Sequence, residues 1–274
     1  MILLFFVVAI ESNQFLRLSP GVISQGLGGS SVLIDEGLSI FHNPALSKEM
    51  SFNFTLSRWL YGTNHLTCGG AYDNSIFGIT YLNYGQIQGY DEAGNPTMVF
   101  TPYDLCAGIG YRFGPVGIAL KAFIQQIDDQ SMYGLCAVIG THFQYNSLSI
   151  GLKVDNLGKE LAENTAIPLY SAIGIKYHMT SAIDIHAEMK APHIELSTGI
   201  VYTYQNLKLL LGGRYLPPEN LTGETTIGFS TDDLCWTGGI SVSVENYDIG
   251  YSIVYGNLSV AHQFSVTFEP TRNP

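Results

Sequence analysis

The chain is poor in charge and has no basic region. Its 274 residues include 12 lysines and arginines against 23 aspartates and glutamates, giving a formal net charge of −11, and charged residues make up only 13% of the sequence. Nucleic-acid binding needs a basic face to neutralise phosphates, so this function is excluded. Soluble domains cover themselves with Lys and Glu, which suggests that the outer surface of this protein does not meet water.

Metal, disulfide and catalytic motifs are also missing. The four cysteines, Cys68, Cys106, Cys136 and Cys235, form no C-x-x-C pair, which argues against a zinc ribbon or a dense disulfide framework and leaves their pairing open. The sequence has no P-loop, no nucleophile elbow and no H-E-x-x-H motif. We therefore predict a protein that is not an enzyme and has no cofactor.

Long apolar runs are absent as well. No stretch reaches about 18 uninterrupted apolar residues, so no transmembrane helix is predicted. The run MILLFFVVAI at residues 1–10 has the length of a signal-peptide core, although no positive residue precedes it. We interpret residues 1–12 as a signal peptide, and a buried N-terminal strand is the alternative.

From residue 51 onward, apolar residues alternate with polar or small residues, with a period of two. In LSIGLKVD (148–155) and AIDIHAEMK (182–190), apolar side chains alternate with small or charged ones, as in a β-strand. Turn signals such as RFGP and PPEN separate about 14 or 15 such segments. The pattern fits a soluble sandwich with its polar face in water, and it equally fits a membrane barrel with its apolar face in lipid.

Three features favour the membrane barrel. The polar faces carry Gly, Ala, Ser and isolated charges, as a crowded lumen does, rather than rows of Lys and Glu. A closed barrel has no edges, and few edge-guarding Lys or Pro residues are present. Aromatic residues recur near strand ends, as an interfacial girdle requires. These aromatic residues are Tyr111, Phe113, Tyr177, Tyr202, Tyr204, Tyr215, Tyr251 and Tyr255. We predict an all-β, transmembrane antiparallel β-barrel.

Short motifs along most of the chain match a known family. Residues 26–30 (GLGGS) stand at a glycine-rich GMGGA motif, and residues 43–46 (NPAL) stand at an NPAGL turn. Later matches are VDNLGKE (154–160), LLLGGRYLPP (209–218) and NLSVAHQFSVTF (257–268). The chain thus resembles the PorV/PorQ family of bacterial outer-membrane proteins, which are relatives of the FadL-type long-chain fatty-acid transporters.

The resemblance implies a barrel of about 14 strands in the bacterial outer membrane, surrounded by lipid, with an N-terminal plug in its lumen. The implied division is a signal peptide at 1–12, a plug at 13–50, the barrel at 51–270 and a tail at 271–274. Because bacterial barrels have even strand numbers, we expect segment 51–59 or 66–72 to be an over-count. The implied plug motif consists of Gly26, Gly28, Gly29, Asn43, Pro44 and Ala45.

The stretch GLSIFHNPALSKE (37–49) departs from the strand pattern. Asn43 can accept an unpaired backbone N–H at a helix start, and Pro44 suits the first helical position because it lacks an N–H. A chain that enters a barrel needs its backbone hydrogen bonds satisfied before the first strand begins. We therefore predict a capped turn here that acts as the hinge between plug and wall.

Charged residues on the predicted strands are expected to face the lumen, where we interpret them as structural ion pairs. In DIHAE (184–188), Asp184, His186 and Glu188 occupy alternate positions and therefore share one face of the strand, as metal ligands can. The favoured alternative is a hydrogen-bonded network with Lys176, His178 and Lys190, so no metal site is predicted. The lumen-facing candidates are Lys121, Lys153, Asp155, Lys176, Asp184, His186, Glu188 and Arg214.

Two functions remain open for the barrel. The PorV/PorQ resemblance implies a non-enzymatic role in protein secretion or surface attachment, of the type IX kind, with secretion-machinery or cargo proteins as partners. The alternative is a FadL-like channel for long-chain fatty acids or other hydrophobic small molecules, closed by the plug. The predicted inner wall offers Gly, Ser, Lys and acids, with Phe123 as an apolar exception, and this favours secretion. A soluble sandwich with a binding role is a third hypothesis.

Overall fold

The computed structural model describes residues 14–18, 20–47, 49–59, 62–91, 93–128, 130–161, 167, 169–192, 194–216, 234–256 and 259–270. The predicted signal peptide and tail lie outside these residues. The helical segments are a 3₁₀ turn at Gln14–Arg17, α1 at Val22–Gly26 and a second 3₁₀ turn at Pro44–Leu46. Among the described residues, none of these helices has the length and apolar character of a membrane span.

Most of the remaining described chain is β-structure. Its strands are β1 Met50–Arg58, β2 Asn64–Tyr72, β3 Ser75–Asn83, β4 Ile87–Tyr90, β5 Pro96–Phe100, β6 Tyr103–Phe113, β7 Val116–Ile127, β8 Gln130–Tyr145, β9 Leu148–Glu160, β10 Tyr170–His178, β11 Ile183–Ala191, β12 Glu195–Tyr204, β13 Leu207–Tyr215, β14 Leu234–Val244, β15 Tyr247–Gly256 and β16 Ser259–Phe268. Fourteen of them form one closed antiparallel barrel in the order β1-β16-β15-β14-β13-β12-β11-β10-β9-β8-β7-β6-β3-β2. The predicted all-β barrel of about 14 strands is confirmed.

The expected over-count was wrong. Segments 51–59 and 66–72 form β1 and β2, which pair along their whole length, and β1 also closes the barrel against β16. The additional strands are β4 and β5, which form a separate two-stranded sheet in the connection between β3 and β6. An even barrel is therefore reached without discarding either N-terminal segment.

Alternation along each strand separates the two faces of the wall. In β7, Ala119, Lys121 and Phe123 are buried inside the barrel, whereas Ile118 and Leu120 are exposed outside it. The predicted aromatic residues are exposed on the outer face, Tyr215 only partly, and they lie near strand ends except for Tyr251, which is in the middle of β15. A closed barrel with an apolar outer band and no free sheet edge is the form in which strands cross a membrane. The chain is an outer-membrane β-barrel.

The two ends of the barrel differ in their connections. At one end the strands are joined by the short turns 73–74, 114–115, 146–147, 179–182, 205–206 and 245–246. Connections at the other end include 84–102 and 216–233. Outer-membrane barrels have short periplasmic turns and longer extracellular loops, so we name these the periplasmic end and the outer end.

Residues 14–18 and 20–47, which we call the lumenal segment, lie inside the barrel. Val22, Leu27 and Leu38 are fully buried there. Helix α1 contacts β13 to β16, and the second 3₁₀ turn contacts β6 to β8 on the opposite side. The core of this protein is therefore the interface between the lumenal segment and the inner wall.

Candidate functional site: the lumenal segment and the inner wall

Glycines on the inner face let the lumenal segment approach the wall closely. A Cβ atom on Gly117 would lie 2.2 Å from the carbonyl carbon of Pro44, and one on Gly199 would lie 2.6 Å from Leu27 Cδ2. The same close approach recurs at Gly69, Gly78, Gly151, Gly174, Gly212 and Gly250. In the sequence, glycines on the polar faces of the strands predict a crowded lumen. The structure shows that the lumenal segment fills this space.

Glycines of the plug motif meet the wall from the other side. Gly28 and Gly29 adopt φ values of +74° and +82°, the left-handed region that favours glycine. A Cβ on Gly28 would also lie 2.4 Å from the carbonyl oxygen of Gly213. A Cβ on Gly26 would lie 2.7 Å from Leu210 Cδ1. At these positions the main chain of the segment therefore runs directly along β13.

Glu188 on β11 is an anchor for the segment. Its Oε2 accepts the backbone N–H groups of Ser31, at 2.6 Å, and of Val32, at 2.8 Å. All three groups are buried. Two charge-assisted bonds to one buried carboxylate are stronger than bonds between neutral groups, so this contact fixes the middle of the segment to the wall.

Neighbouring wall residues bind the turn that precedes this anchor. Lys190 Nζ donates to the carbonyl oxygen of Gly29 at 2.9 Å, and Ser197 Oγ donates to that of Gly28 at 2.8 Å. Thr237 Oγ1 accepts the N–H of Gly28 at 2.9 Å. The glycine-rich turn thus has its backbone hydrogen bonds satisfied by side chains of β11, β12 and β14.

The predicted cap at Asn43 is present. The N–H of Ala45 donates to Asn43 Oδ1 at 3.0 Å, and Pro44 is the first residue of the 3₁₀ turn. Asn43 Nδ2 also donates to the carbonyl oxygens of Val32, at 2.9 Å, and of Thr141 on β8, at 3.0 Å. This side chain therefore caps the turn, ties it to an earlier part of the segment and fixes it to the wall. The hinge role stays a prediction.

A bulge in β9 places an aspartate in the lumen, where it contacts lysines of β7 and β9. Asn156 has φ of +59°, and both it and Asp155 are buried, so two consecutive residues point inward. Lys121 Nζ donates to Asp155 Oδ1 at 2.6 Å, and Lys153 Nζ lies 3.6 Å from Oδ2. Lys153 also donates to the carbonyl oxygen of Phe41 at 3.3 Å. The ion pairs of the wall therefore also hold the segment.

The remaining predicted lumenal residues lie nearer to the two mouths. Asp184 Oδ2 is 3.2 Å from Lys176 Nζ, and Oδ1 is 2.5 Å from His178 Nδ1. His186 is buried on the same face of β11, whereas Arg214 on β13 is partly buried. Within the part of the chain that the structure describes, no group of three or more His, Cys, Asp and Glu residues is arranged to hold a metal ion.

A buried acid and a buried imidazole lie within the segment itself. Glu36 accepts the N–H groups of Ile23, at 3.0 Å, and Ser24, at 3.2 Å, at the start of α1. Burial raises the pKa of Glu36 to about 8, although these N–H groups oppose the shift. Burial, with the charge of Lys153, lowers the pKa of His42 to about 4. Between these values both groups are neutral, so their 3.8 Å contact is not an ion pair.

Docking of the segment is expected to weaken at alkaline pH. Because the pKa of Glu36 is raised by folding, its contribution to stability is complete below about 4.5 and is lost as the pH rises through about 8. His42 contributes above about 6.5 and loses its contribution as the pH falls through about 4. Planar-bilayer recordings should therefore show higher ionic conductance through the barrel at about pH 9 than at about pH 6. Glu36→Gln should remove this difference, and an unchanged pH profile in that variant would contradict the assignment.

Sequence reasoning missed the apolar content of the lumen, because the segment itself supplies much of it. Phe15 packs edge-on against Phe123 of β7, with ring centroids 6.2 Å apart. Cys106 and Cys136 beside them are buried free thiols, and Cys68 and Cys235 are also free. We call the whole set the apolar cluster. Its members are Phe15, Leu16, Leu38, Ile40, Phe41, Ala71, Ile76, Leu82, Cys106, Ala119, Phe123, Cys136, Val138 and Ile167.

This fold recurs among solved outer-membrane proteins. The crystal structure of the Pseudomonas putida toluene transporter TodX superposes with a TM-score of 0.61 at 12% identity, covering 90% of this chain and 96% of that one. The chain shares the TodX fold. A deltaS2 mutant of TodX, described as a monoaromatic hydrocarbon channel, gives a TM-score of 0.57 at 11% identity, covering 92% and 97% of the two chains. No protein-family model and no curated protein matches the sequence.

Proposed function

We propose that the protein is a channel for hydrophobic small molecules that the lumenal segment closes. The apolar cluster carries this proposal. It extends along the lumen from Leu82 near the outer end, past Phe123, to Ile76 and Ala119 near the periplasmic end, between the segment and the wall. An apolar molecule that contacts these side chains exchanges one apolar surface for another. The described transport of toluene by TodX supports the same class of cargo.

Replacing Phe123 with asparagine should slow apolar uptake. The change places an amide in the apolar cluster, where an unpaired polar group costs about 1 to 3 kcal/mol, so uptake should fall roughly 5-fold to 150-fold. The measurement is uptake of labelled toluene and of a labelled long-chain fatty acid by proteoliposomes that contain the full chain. Whichever cargo shows the larger loss belongs to the preferred class.

The control for this experiment is Val201→Thr. Val201 is buried in a separate cluster with Val22, Leu27 and Leu210 beneath α1, so its replacement should leave uptake unchanged. Heat-modifiable gel migration identifies variants that still form a barrel. Equal uptake by wild-type and empty liposomes would contradict the channel, and so would wild-type uptake by a folded Phe123→Asn variant.

A role of the PorV/PorQ type in secretion or surface attachment is the second candidate, because of the β4–β5 hairpin. Ile87, Tyr90, Met98 and Val99 are exposed on this hairpin, which pairs with no strand of the barrel. Exposed apolar residues of this kind on an outer loop suit contact with another protein. Co-purification of secretion-machinery proteins from native outer membranes would support this role, and bound lipid without a protein partner would contradict it.

A further inference from the structure

Five basic side chains gather at the periplasmic end of the lumen. Arg112, His142, Lys176, His178 and His186 lie on the inward faces of β6, β8, β10 and β11. Lys176 is directly opposite His186 across the β10–β11 pair. The charges of Lys176 and Arg112 both act on His142, and those of Lys176 and His178 act on His186, where the charge of Asp184 opposes them. We call these five residues the basic mouth.

Only a short side chain lies between the basic residues of β8 and those of β10. The strand between β8 and β10 presents Ser149 at this level, in register with Gln144 on one side and Lys176 on the other. Serine is short, and Ser149 is itself buried, so no long side chain of this strand lies between the two flanking strands at this level. Lys176 is 25% exposed and His178 is 38% exposed, which makes the group accessible to solvent from the periplasmic end.

The basic mouth is only partly neutralised by the described residues. Asp184 contacts Lys176 and His178, and Arg112 Nη1 donates to the carbonyl oxygen of Ser47 at 2.6 Å. Among the described residues, His186 has no hydrogen-bond partner although it is only 3% exposed. One carboxylate therefore faces two permanent positive charges and three imidazoles.

This concentration of basic groups is unusual in a chain with a formal net charge of −11. A local positive field in an acidic protein attracts anions selectively, and Lys, Arg and His side chains form strong charge-assisted bonds with oxyanions. We propose that the basic mouth binds the phosphate or carboxylate group of a small molecule that reaches it from the lumen or the periplasm. The site does not depend on the proposed cargo of the channel, because its ligands are polar groups.

Calorimetric titration of the detergent-solubilised full chain tests this site with inorganic phosphate and with acetate as probes. We expect saturable binding that Lys176→Gln weakens about tenfold, since one charge-assisted bond is removed. Asp184→Asn should instead strengthen binding about threefold to tenfold, because it removes the competing carboxylate. A merely structural role of Asp184 would not produce that gain.

The matched control is Lys208→Gln. Lys208 faces the lumen at the same end, is 28% exposed and lies 3.9 Å from Asp248, so its loss should leave phosphate binding unchanged. Mono-octyl phosphate distinguishes the source of the ligand: tighter binding than inorganic phosphate identifies an amphiphile in the lumen, and equal binding identifies a free oxyanion. Absence of saturable binding to the wild type would overturn the proposal, as would wild-type affinity in a folded Lys176→Gln barrel.

Discussion

Replacing Gly117 with alanine should open the lumen that the segment fills. The new Cβ would lie 2.2 Å from the carbonyl carbon of Pro44 and 2.4 Å from the backbone nitrogen of Ala45. These are main-chain atoms, which cannot rotate aside, and β7 is held on both sides by β6 and β8. Overpacking costs about 1 to 3 kcal/mol, so the displaced state should become roughly 5-fold to 150-fold more populated.

Single-channel recording in planar bilayers measures this effect as the frequency of open events. The control is Gly213→Ala, because a Cβ there would have its nearest neighbour, the carbonyl oxygen of Cys235, at 3.8 Å. Gly213 lies on the outer face of β13, so this variant should stay as closed as the wild type. If Gly117→Ala forms a folded barrel and is equally closed, the second 3₁₀ turn is not part of the closure.

The sequence predicts the wall well because the wall depends on local pattern. Lys121 lies between Leu120 and Ala122, and this alternation alone determines that the lysine faces the lumen once the barrel is recognised. The capped turn at Asn43 and Pro44 is also local, since the cap bond joins residues two positions apart. Such features need no knowledge of what packs against them.

The interior of the lumen depends on contacts that no local pattern contains. Phe15 packs against Phe123, and Ser31 bonds to Glu188, although each pair is far apart in the sequence. The wall strands alone therefore predict a lumen that is more polar than the structure shows. The bulge at Asn156 shifts the register of β9 against β8, and strict alternation cannot anticipate it. The sequence shows that glycines recur on the polar, inward faces of the strands. It does not show that the lumenal segment packs against them.

The choice between the two functions depends on the apolar interior of the lumen, which the sequence does not reveal. The wall strands by themselves offer no continuous apolar pocket, and the sequence therefore favours secretion. In the structure, Leu38, Ile40 and Phe41 of the lumenal segment complete an apolar cluster with residues from β2, β3, β6, β7 and β8. In the proposed channel, the lumenal segment is both the closure and part of the path, so its displacement should change permeability and cargo contact together.

Replacing Glu188 with alanine should release the middle of the segment. The change leaves the N–H groups of Ser31 and Val32 without their acceptor in a buried site, and it removes a carboxylate that lies 3.9 Å from Lys190 Nζ. Breaking a buried charged contact by deleting one partner costs about 3 to 5 kcal/mol. The detached state should therefore become roughly 150-fold to 5,000-fold more populated.

Hydrogen exchange at the amides of Ser31 and Val32 reports this release directly, because both N–H groups are bound to the deleted carboxylate. Glu188→Gln should give an intermediate loss of protection, since it keeps one acceptor oxygen but loses the charge. Asp248→Ala is the matched control: Asp248 is a buried carboxylate on β15 that bonds to Ser243 of the neighbouring strand. Because that bond lies within the wall, its loss should leave the two amides protected. Unchanged protection in a folded Glu188→Ala barrel would mean that apolar packing alone holds the segment in place.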